Sequence, residues 1–246
     1  MKLKEFFIRI LYPPKCIGCN RVLKISSGYP LICKHCRKEM MPLPKRVCPT
    51  CLKPLDVVAD APYCTYCANE KFNFNLLVSC GIYDNLYRSA VHNLKFNQRY
   101  HTAKSMAYMM YERLKSYDLC KHLEAICFAP ISPKSLKERG FNQAQYIADE
   151  LSLLLDIPVV DALIKIKDTE KQSLLSKKDR LNNLKDAIIF KREVKYKNVL
   201  FVDDVYTTGS TAEVCCNSLK KAGAKNIYVS VFAITKKEIE DERENY

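Results

Sequence analysis

The chain has 246 residues, enough for one mid-sized domain and a small appendage, which excludes a single minimal module. Hydrophobic residues at 48% and charged residues at 27% are ordinary for a globular protein and exclude wholesale disorder, while the longest apolar runs, such as Tyr228 to Ile234, fall far short of the ~20 residues of a membrane helix. A formal net charge of +13 raises the local concentration of anions without specifying which; two zinc sites of four thiolates would each subtract two charges and leave the chain still basic.

The start, MKLKEFFIRILYPPKC, has early positive charge, but Arg9 and Pro13–Pro14 interrupt its apolar run and no small-residue cleavage site follows; we expect no signal peptide and a cytoplasmic protein. Eight of the 13 cysteines then fall into four pairs separated by two residues: Cys16/Cys19, Cys33/Cys36, Cys48/Cys51 and Cys64/Cys67. That spacing lets both sulfurs of a pair converge on one metal at ~2.3 Å, so four pairs supply two tetrahedral Zn²⁺ sites. Near-equal gaps between the first and second pairs and between the third and fourth suggest two successive ribbons, although interleaved pairing is open at this stage. A disulfide framework would require an oxidising compartment. Sites closed by four thiolates fold a segment and do not catalyse. His35 is expected to be a solvated histidine, and Cys80, Cys120, Cys127, Cys215 and Cys216 small core residues.

From about residue 73 the cysteine pairs stop and apolar blocks alternate with helical periodicity. Strands are predicted over Leu76 to Ile82, Ala125 to Ala129, Ile157 to Val160, Val199 to Val202 and Ile227 to Ile234. Helical faces carry Tyr87, Val91 and Leu94; Met106, Met110 and Leu114; and Ala144, Ile147, Leu151 and Leu154. The Met and Tyr stripe from Met106 to Tyr117 is read as core or domain interface. Alternating strands and helices imply an α/β fold with a parallel sheet. The expected division is a short helix plus double ribbon over 1–72, a sheet domain over 73–235 and a charged tail over 236–246. Asp168 to Lys185 is a polar excursion, equally readable as a binding loop or a solvated connection.

The most informative stretch is KNVLFVDDVYTTGSTAEVCCNSLKKAGAKNI. A buried strand runs into Asp203 and Asp204, then a Thr/Gly/Ser turn, then a helix. Backbone amides at the helix start, with the hydroxyls of Thr207, Thr208, Ser210 and Thr211, form a cradle for phosphate, and Gly209 supplies a backbone free to take positive φ. No lysine follows the glycine as a Walker loop requires. Acids beside a phosphate would repel it unless they face sugar hydroxyls or a cation.

Val199 to Thr211 resembles the ribose-phosphate signature of type I phosphoribosyltransferases, whose fold is a parallel sheet flanked by helices. By that resemblance Asp203 and Asp204 would bond the ribose hydroxyls and Thr207 to Thr211 would hold the 5′-phosphate. Pro130 to Lys134, with Ser132 and Pro133, would form the pyrophosphate loop, with Lys134, Lys137 and Arg139 close by. RGFNQAQYIADEL, NLKFNQRY and the pattern Gln172, Leu175, Arg180, Asn183 are similar to motifs of the ComF family, competence-associated phosphoribosyltransferase-like proteins that begin with cysteine-pair modules. Asn97 stands where that family usually has glycine and Gln145 where it usually has glutamate. Lys165 or Lys167 would stand in for an arginine usual before Gln172, without its bidentate fork.

The resemblance implies phosphoribosyl pyrophosphate with Mg²⁺ as ligand and a role in handling incoming single-stranded DNA during natural transformation, alongside other DNA-uptake proteins. A catalytically active phosphoribosyltransferase, with Asp203 and Asp204 in its centre, and a phosphoribosyl-pyrophosphate-sensing regulator are the alternatives. Lys95, Phe96, Arg99, Tyr100, His101 and Lys104, and on the ribbons Arg37, Lys38, Lys45, Arg46 and Lys53, mix cations with aromatics as a single-strand track would, or as a solvated surface would.

Overall fold

The structure is a computed structural model that describes residues 13–24, 28–40, 43–44, 46–52, 55, 63–64, 67–68, 71–97, 100–167 and 187–235. The polar excursion and the charged tail lie outside the described residues. Four strands, β1 (Leu76–Ser79), β2 (Ala125–Phe128), β5 (Asn198–Tyr206) and β6 (Asn226–Ile234), form one parallel sheet in the order β1-β6-β5-β2. Their sequences are near-continuous apolar runs because both faces are covered: Val199, Leu200, Phe201 and Val202 are all fully buried, as are Val229 and Phe232.

Helices α2 (Asn85–Asn97) and α3 (Tyr100–Lys115) connect β1 to β2, and α4 (Pro133–Arg139) and α5 (Gln143–Leu155) follow β2. α3 buries Met106, Met110 and Leu114, and α5 buries Ile147 and Leu151, so the predicted stripes are core. α6 (Ser210–Lys221) carries the chain from β5 to β6. The β1-to-β2 and β5-to-β6 connections run in opposite directions across the sheet, so right-handed crossovers put α6 on the face opposite α3, and α5, which leads to the Val159 bridge beyond β2, packs against α3 on α3's face. Among the described residues no helix is long and apolar enough to cross a membrane.

The observed elements depart from the predicted ones at several points, and β1 ends at Ser79, short of the predicted Ile82. Ile157 to Val160 contributes only a single parallel bridge, Val159 to Ile126, with Pro158 and Val160 bonding the Ile126 backbone. A short antiparallel pair, β3 (Leu163–Lys165) with β4 (Ile188–Phe190), flanks the excursion, where the sequence pattern predicts no strand. Three residues are too few to show a period, and Ile164 and Ile189 face outward at 40% and 43% exposure. Finally, β5 does not stop at Val202: Asp203, Val205 and Tyr206 continue the ladder opposite Val231, Ala233 and Ile234.

The N-terminal segment joins the core of this domain on the side of α2 and α3. Ile17 and Leu31 share one hydrophobic core with Leu86, Leu94 and Met106. α1 (Lys34–Lys38) starts from Cys33, whose sulfur accepts from the Cys36 amide at its N-cap. Pro49 O accepts from Leu77 N at 2.8 Å, covering part of the otherwise open edge of β1.

Candidate functional site

The thiols gather as Cys16, Cys19, Cys33 and Cys36 and as Cys48, Cys51, Cys64 and Cys67, the sulfurs of each group lying within 4.8 Å of one another. Sequential pairing is therefore realised and interleaving is not. Cys19 and Cys33 sulfurs stand 3.7 Å apart, as do Cys51 and Cys64. A tetrahedron with Zn–S of ~2.3 Å has an edge of about 3.8 Å. Amides support the thiolate form: Cys33 N donates to Cys16 Sγ at 3.3 Å, and Cys36 N and Cys67 N donate to Cys33 and Cys64 Sγ at 3.4 Å. Both groups fit structural Zn²⁺, which would knit the loops and leave no ligand position for substrate. His35 is exposed, 3.7 Å from Glu39, and takes no part. Of the other five cysteines, Cys127, Cys215 and Cys216 are buried in the core, while Cys80 and Cys120 are only partly covered.

The second site lies at the C-terminal edge of the sheet, where open α/β sheets bind ligands. Because side chains alternate along β5, Asp203 and Asp204 leave it on opposite faces. Asp203 lines a small cleft with Val205, Tyr206, Thr207, Gly209 and Thr211. Its carboxyl is pushed up to about 8, first by burial and then by the charge of Asp204. Asp204, 9% exposed, turns the other way and meets Lys95 of α2, Oδ2 to Nζ 2.6 Å. Burial would lower the Lys95 ammonium, but Asp204 outweighs it by charge and hydrogen bond and the net shift is upward. One acid of the pair thus already faces a cation, which relieves the repulsion a phosphate would meet.

The turn itself has the chemistry to hold an anion. Gly209 sits at φ +74°, where an L side chain is strained, and a Cβ there would lie 2.2 Å from Tyr206 Oη, so the buried Tyr206 ring would have to shift to admit one. Gly209 is the N-cap of α6 and offers no side-chain bond to the first amides. By contrast α1, α4 and α5 are capped by Cys33, Ser132 and Asn142. The first amides of α6 and its positive dipole end lie at this edge, and the hydroxyls of Thr208 and Ser210 pair with each other at 3.0 Å beside them. Thr207 is exposed, and Thr211 lines the cleft from the helix.

The expected pyrophosphate loop lies beside this edge, since Ala129 N donates to Val202 O at 2.9 Å. Ser132, 8% exposed, spends its oxygen accepting from Ser135 N as the cap of α4; Pro133 and Lys134 are exposed. Arg139 lies in the electrostatic field of Lys95 and donates to Gln143 Oε1 at 3.1 Å.

Sequence reasoning misses the part played by three residues of the site. Lys95 reads as a member of a single-strand track but turns into the acid pair, and nothing local announces that. Asn93 grips the first ribbon, with Nδ2 donating to Ile17 O at 2.7 Å. Asn142 donates to Ala129 O at 2.9 Å while capping α5, tying that helix to the end of β2; an asparagine just before an apolar-periodic run is a cap signal that could have found it. The rest of the expected track also divides. His101 Nδ1 is 2.9 Å from Tyr29 Oη and Lys104 lies over the Tyr29 ring, both binding the ribbon to α3, while Phe96 is 63% exposed. Arg37 and Lys38 are exposed on α1; Arg99, Lys45 and Lys53 lie outside the described residues.

Known proteins share this arrangement. Residues 7–68 match a family described as the double zinc ribbon domain, and residues 136–246 one described as the phosphoribosyl transferase domain. The chain is 31% identical to competence protein F of Haemophilus influenzae over 222 residues, 87% of this chain and 94% of that one. It is 27% identical to the DNA utilization protein YhgH of Escherichia coli K12 over 221 residues, 88% and 95% of the two chains. Competence protein ComFC of Bacillus subtilis is 27% identical over 209 residues, 82% and 83% of the two. Similarity to competence protein F over 87% of the chain, with a double zinc ribbon followed by a phosphoribosyl transferase domain, makes the chain a member of the ComF family.

Proposed function

We propose that the chain binds phosphoribosyl pyrophosphate at the edge of β5 and acts, as a ComF-type protein, in cytoplasmic handling of single-stranded DNA during natural transformation. The observation that carries the ligand is the uncapped start of α6 beside Asp203, with Asp204 the next residue of the strand: amides for the 5′-phosphate, carboxylate for the ribose hydroxyls. The names of the relatives, competence protein and DNA utilization protein, carry the DNA half of the proposal. Mg²⁺ suits the hard carboxylate oxygens of Asp203 and Asp204, and when bound would supply charge neutralisation for the pyrophosphate. Thr207 to Thr211 fix the phosphate end, Asp203 and Asp204 orient the sugar, and Ser132 and Lys134 offer donors toward the pyrophosphate end. Among the described residues no group stands out as reader of a nucleobase, so ligand binding is the activity proposed.

Isothermal titration with phosphoribosyl pyrophosphate and Mg²⁺ tests this. Heat from the wild type and none from Asp203→Ala/Asp204→Ala is the expected result; silence from the wild type would refute the ligand. Single-stranded DNA affinity should fall steeply with salt, and Arg37→Ala/Lys38→Ala should reduce the log–log salt slope by about one for each phosphate no longer neutralised. Formation of a nucleotide on adding a base would establish the enzyme instead.

A further inference from the structure

The surroundings of Lys95 are unusual for a lysine. Its side chain is 26% exposed and that of Asp204 12%, so both charges give up much of their water to meet each other. The helix carrying Lys95 is held from its other side. Residues two apart on a helix point about 200° apart, so while Lys95 reaches the sheet edge, Asn93 faces away from it. Asn93 is 4% exposed; its Nδ2 donates to Ile17 O at 2.7 Å and lies 3.4 Å from Gly18 O, and its Oδ1 accepts from Asn20 Nδ2 at 3.3 Å. Ile17 and Gly18 are the two residues between Cys16 and Cys19. The fit is close, because a Cβ on Gly18 would stand 2.9 Å from Leu86 Cδ1 and 3.0 Å from Cys36 Sγ. Fixing Cys16 and Cys19 to one ion therefore fixes the carbonyls that Asn93 grips. The second ribbon's backbone bond to the sheet goes elsewhere, from Leu77 N of β1 to Pro49 O, and β6 separates β1 from β5.

We propose that Lys95 is a positioning residue, an internal cation that holds Asp204 for the ribose, and that the first cysteine cluster sets it through Asn93. The first ribbon is then part of the sugar-phosphate site, and the second is not. This rests on the reading of the edge as a phosphoribosyl-pyrophosphate site. The lysine acts by charge and orientation: it offsets one of two adjacent carboxylates, so that an anionic ligand approaches a pair carrying less net negative charge, and it keeps Asp204 in a single rotamer.

Two measurements on the full chain loaded with zinc decide it. In titrations with phosphoribosyl pyrophosphate and Mg²⁺, Lys95→Gln should weaken binding by about tenfold, Lys95→Arg should recover it to within about threefold, and Asn93→Ala should weaken it by about fivefold while two zinc ions per chain are retained. Leu55→Ala on the second ribbon should stay within about twofold. Equal affinities for wild type and Lys95→Gln would overturn the role of the lysine. The second measurement needs no ligand: acylation of Lys95 by acetic anhydride, followed by mass spectrometry, should be about fivefold faster in Asn93→Ala than in wild type, because the ammonium is released from Asp204. An unchanged rate would overturn the part assigned to the ribbon. If the wild type binds no phosphoribosyl pyrophosphate but Asn93→Ala frees Lys95, the ligand assignment fails and the coupling stands.

Discussion

The two ribbons share a ligand spacing and differ in what surrounds the metal. In the first, Cys16 is fully buried, and Ile17 and Leu31, both 2% exposed, enter the core that runs beneath α2 and α3. Leu31 N also donates to Ser105 Oγ of α3 at 3.2 Å. In the second, the four cysteines form a cluster of their own, against which Leu55 and Phe72 pack, while Leu52 between the cysteine pairs joins the main core. The lesson is that a cysteine-pair module is a keystone or an appendage according to what the residues between its ligands touch. Identical coordination chemistry leaves that undecided.

The sharpest way to break this contrast is to remove one ion at a time. A structural zinc contributes about 10–16 kcal/mol to the segment it folds. Cys16→Ser should lower the main thermal transition together with the zinc content, because the segment it unfolds is continuous with the sheet core. Cys48→Ser should lose the second ion and leave the main transition nearly in place. Calorimetry with elemental analysis reads both, and equal shifts would erase the distinction.

A smaller effect comes from apolar truncation. Leu31→Ala removes a fully packed side chain and should cost about 2–5 kcal/mol in chemical denaturation. Leu55→Ala, at a partly covered position, should cost about 1 kcal/mol or less.

The last concerns pH, and it separates the metal clusters from the sheet edge beside them. Asp203 titrates near 8 in the folded chain against an ordinary value of 3.8. A raised carboxyl favours the folded state while it stays protonated, so that contribution is present below about 4 and is lost as pH climbs through about 8. The slope should be under about 1.4 kcal/mol per pH unit, because the group is only partly covered. Asp203→Asn should flatten the profile across that window. The thiolate clusters respond with the opposite sign, releasing metal as pH falls. A denaturation series from pH 5 to 9 on both proteins resolves the two trends.

Where sequence reading succeeds, the cause is local. Two cysteines with two residues between them are preset for one metal, and a run such as Val199 to Val202 can only be a covered strand. A Thr-Thr-Gly-Ser turn before an amphipathic helix presents its amides whatever surrounds it. Where it falls short, the cause is a partner distant along the chain. β5 extends through two aspartates, residues poor at forming strands, because β6 offers Val231, Ala233 and Ile234 as pairing partners. Ser132 also caps α4, a role that depends on where that helix begins. Lys95, Phe96, His101 and Lys104 read as one basic and aromatic surface, yet the fold sends them to the acid pair, to solvent and to Tyr29.

The sequence by itself determined the cysteine pairs, the covered strands of a parallel α/β sheet and the Thr-Thr-Gly-Ser turn before α6, since each is written in residues a few positions apart whose covalent geometry and polarity act alone. Only the tertiary structure decided which cysteine pairs share an ion, that Asp203 and Asp204 part to opposite faces, and that Lys95 answers one of them. Those outcomes depend on packing between segments far apart in the chain, where burial and charge are set by neighbours that no local pattern names.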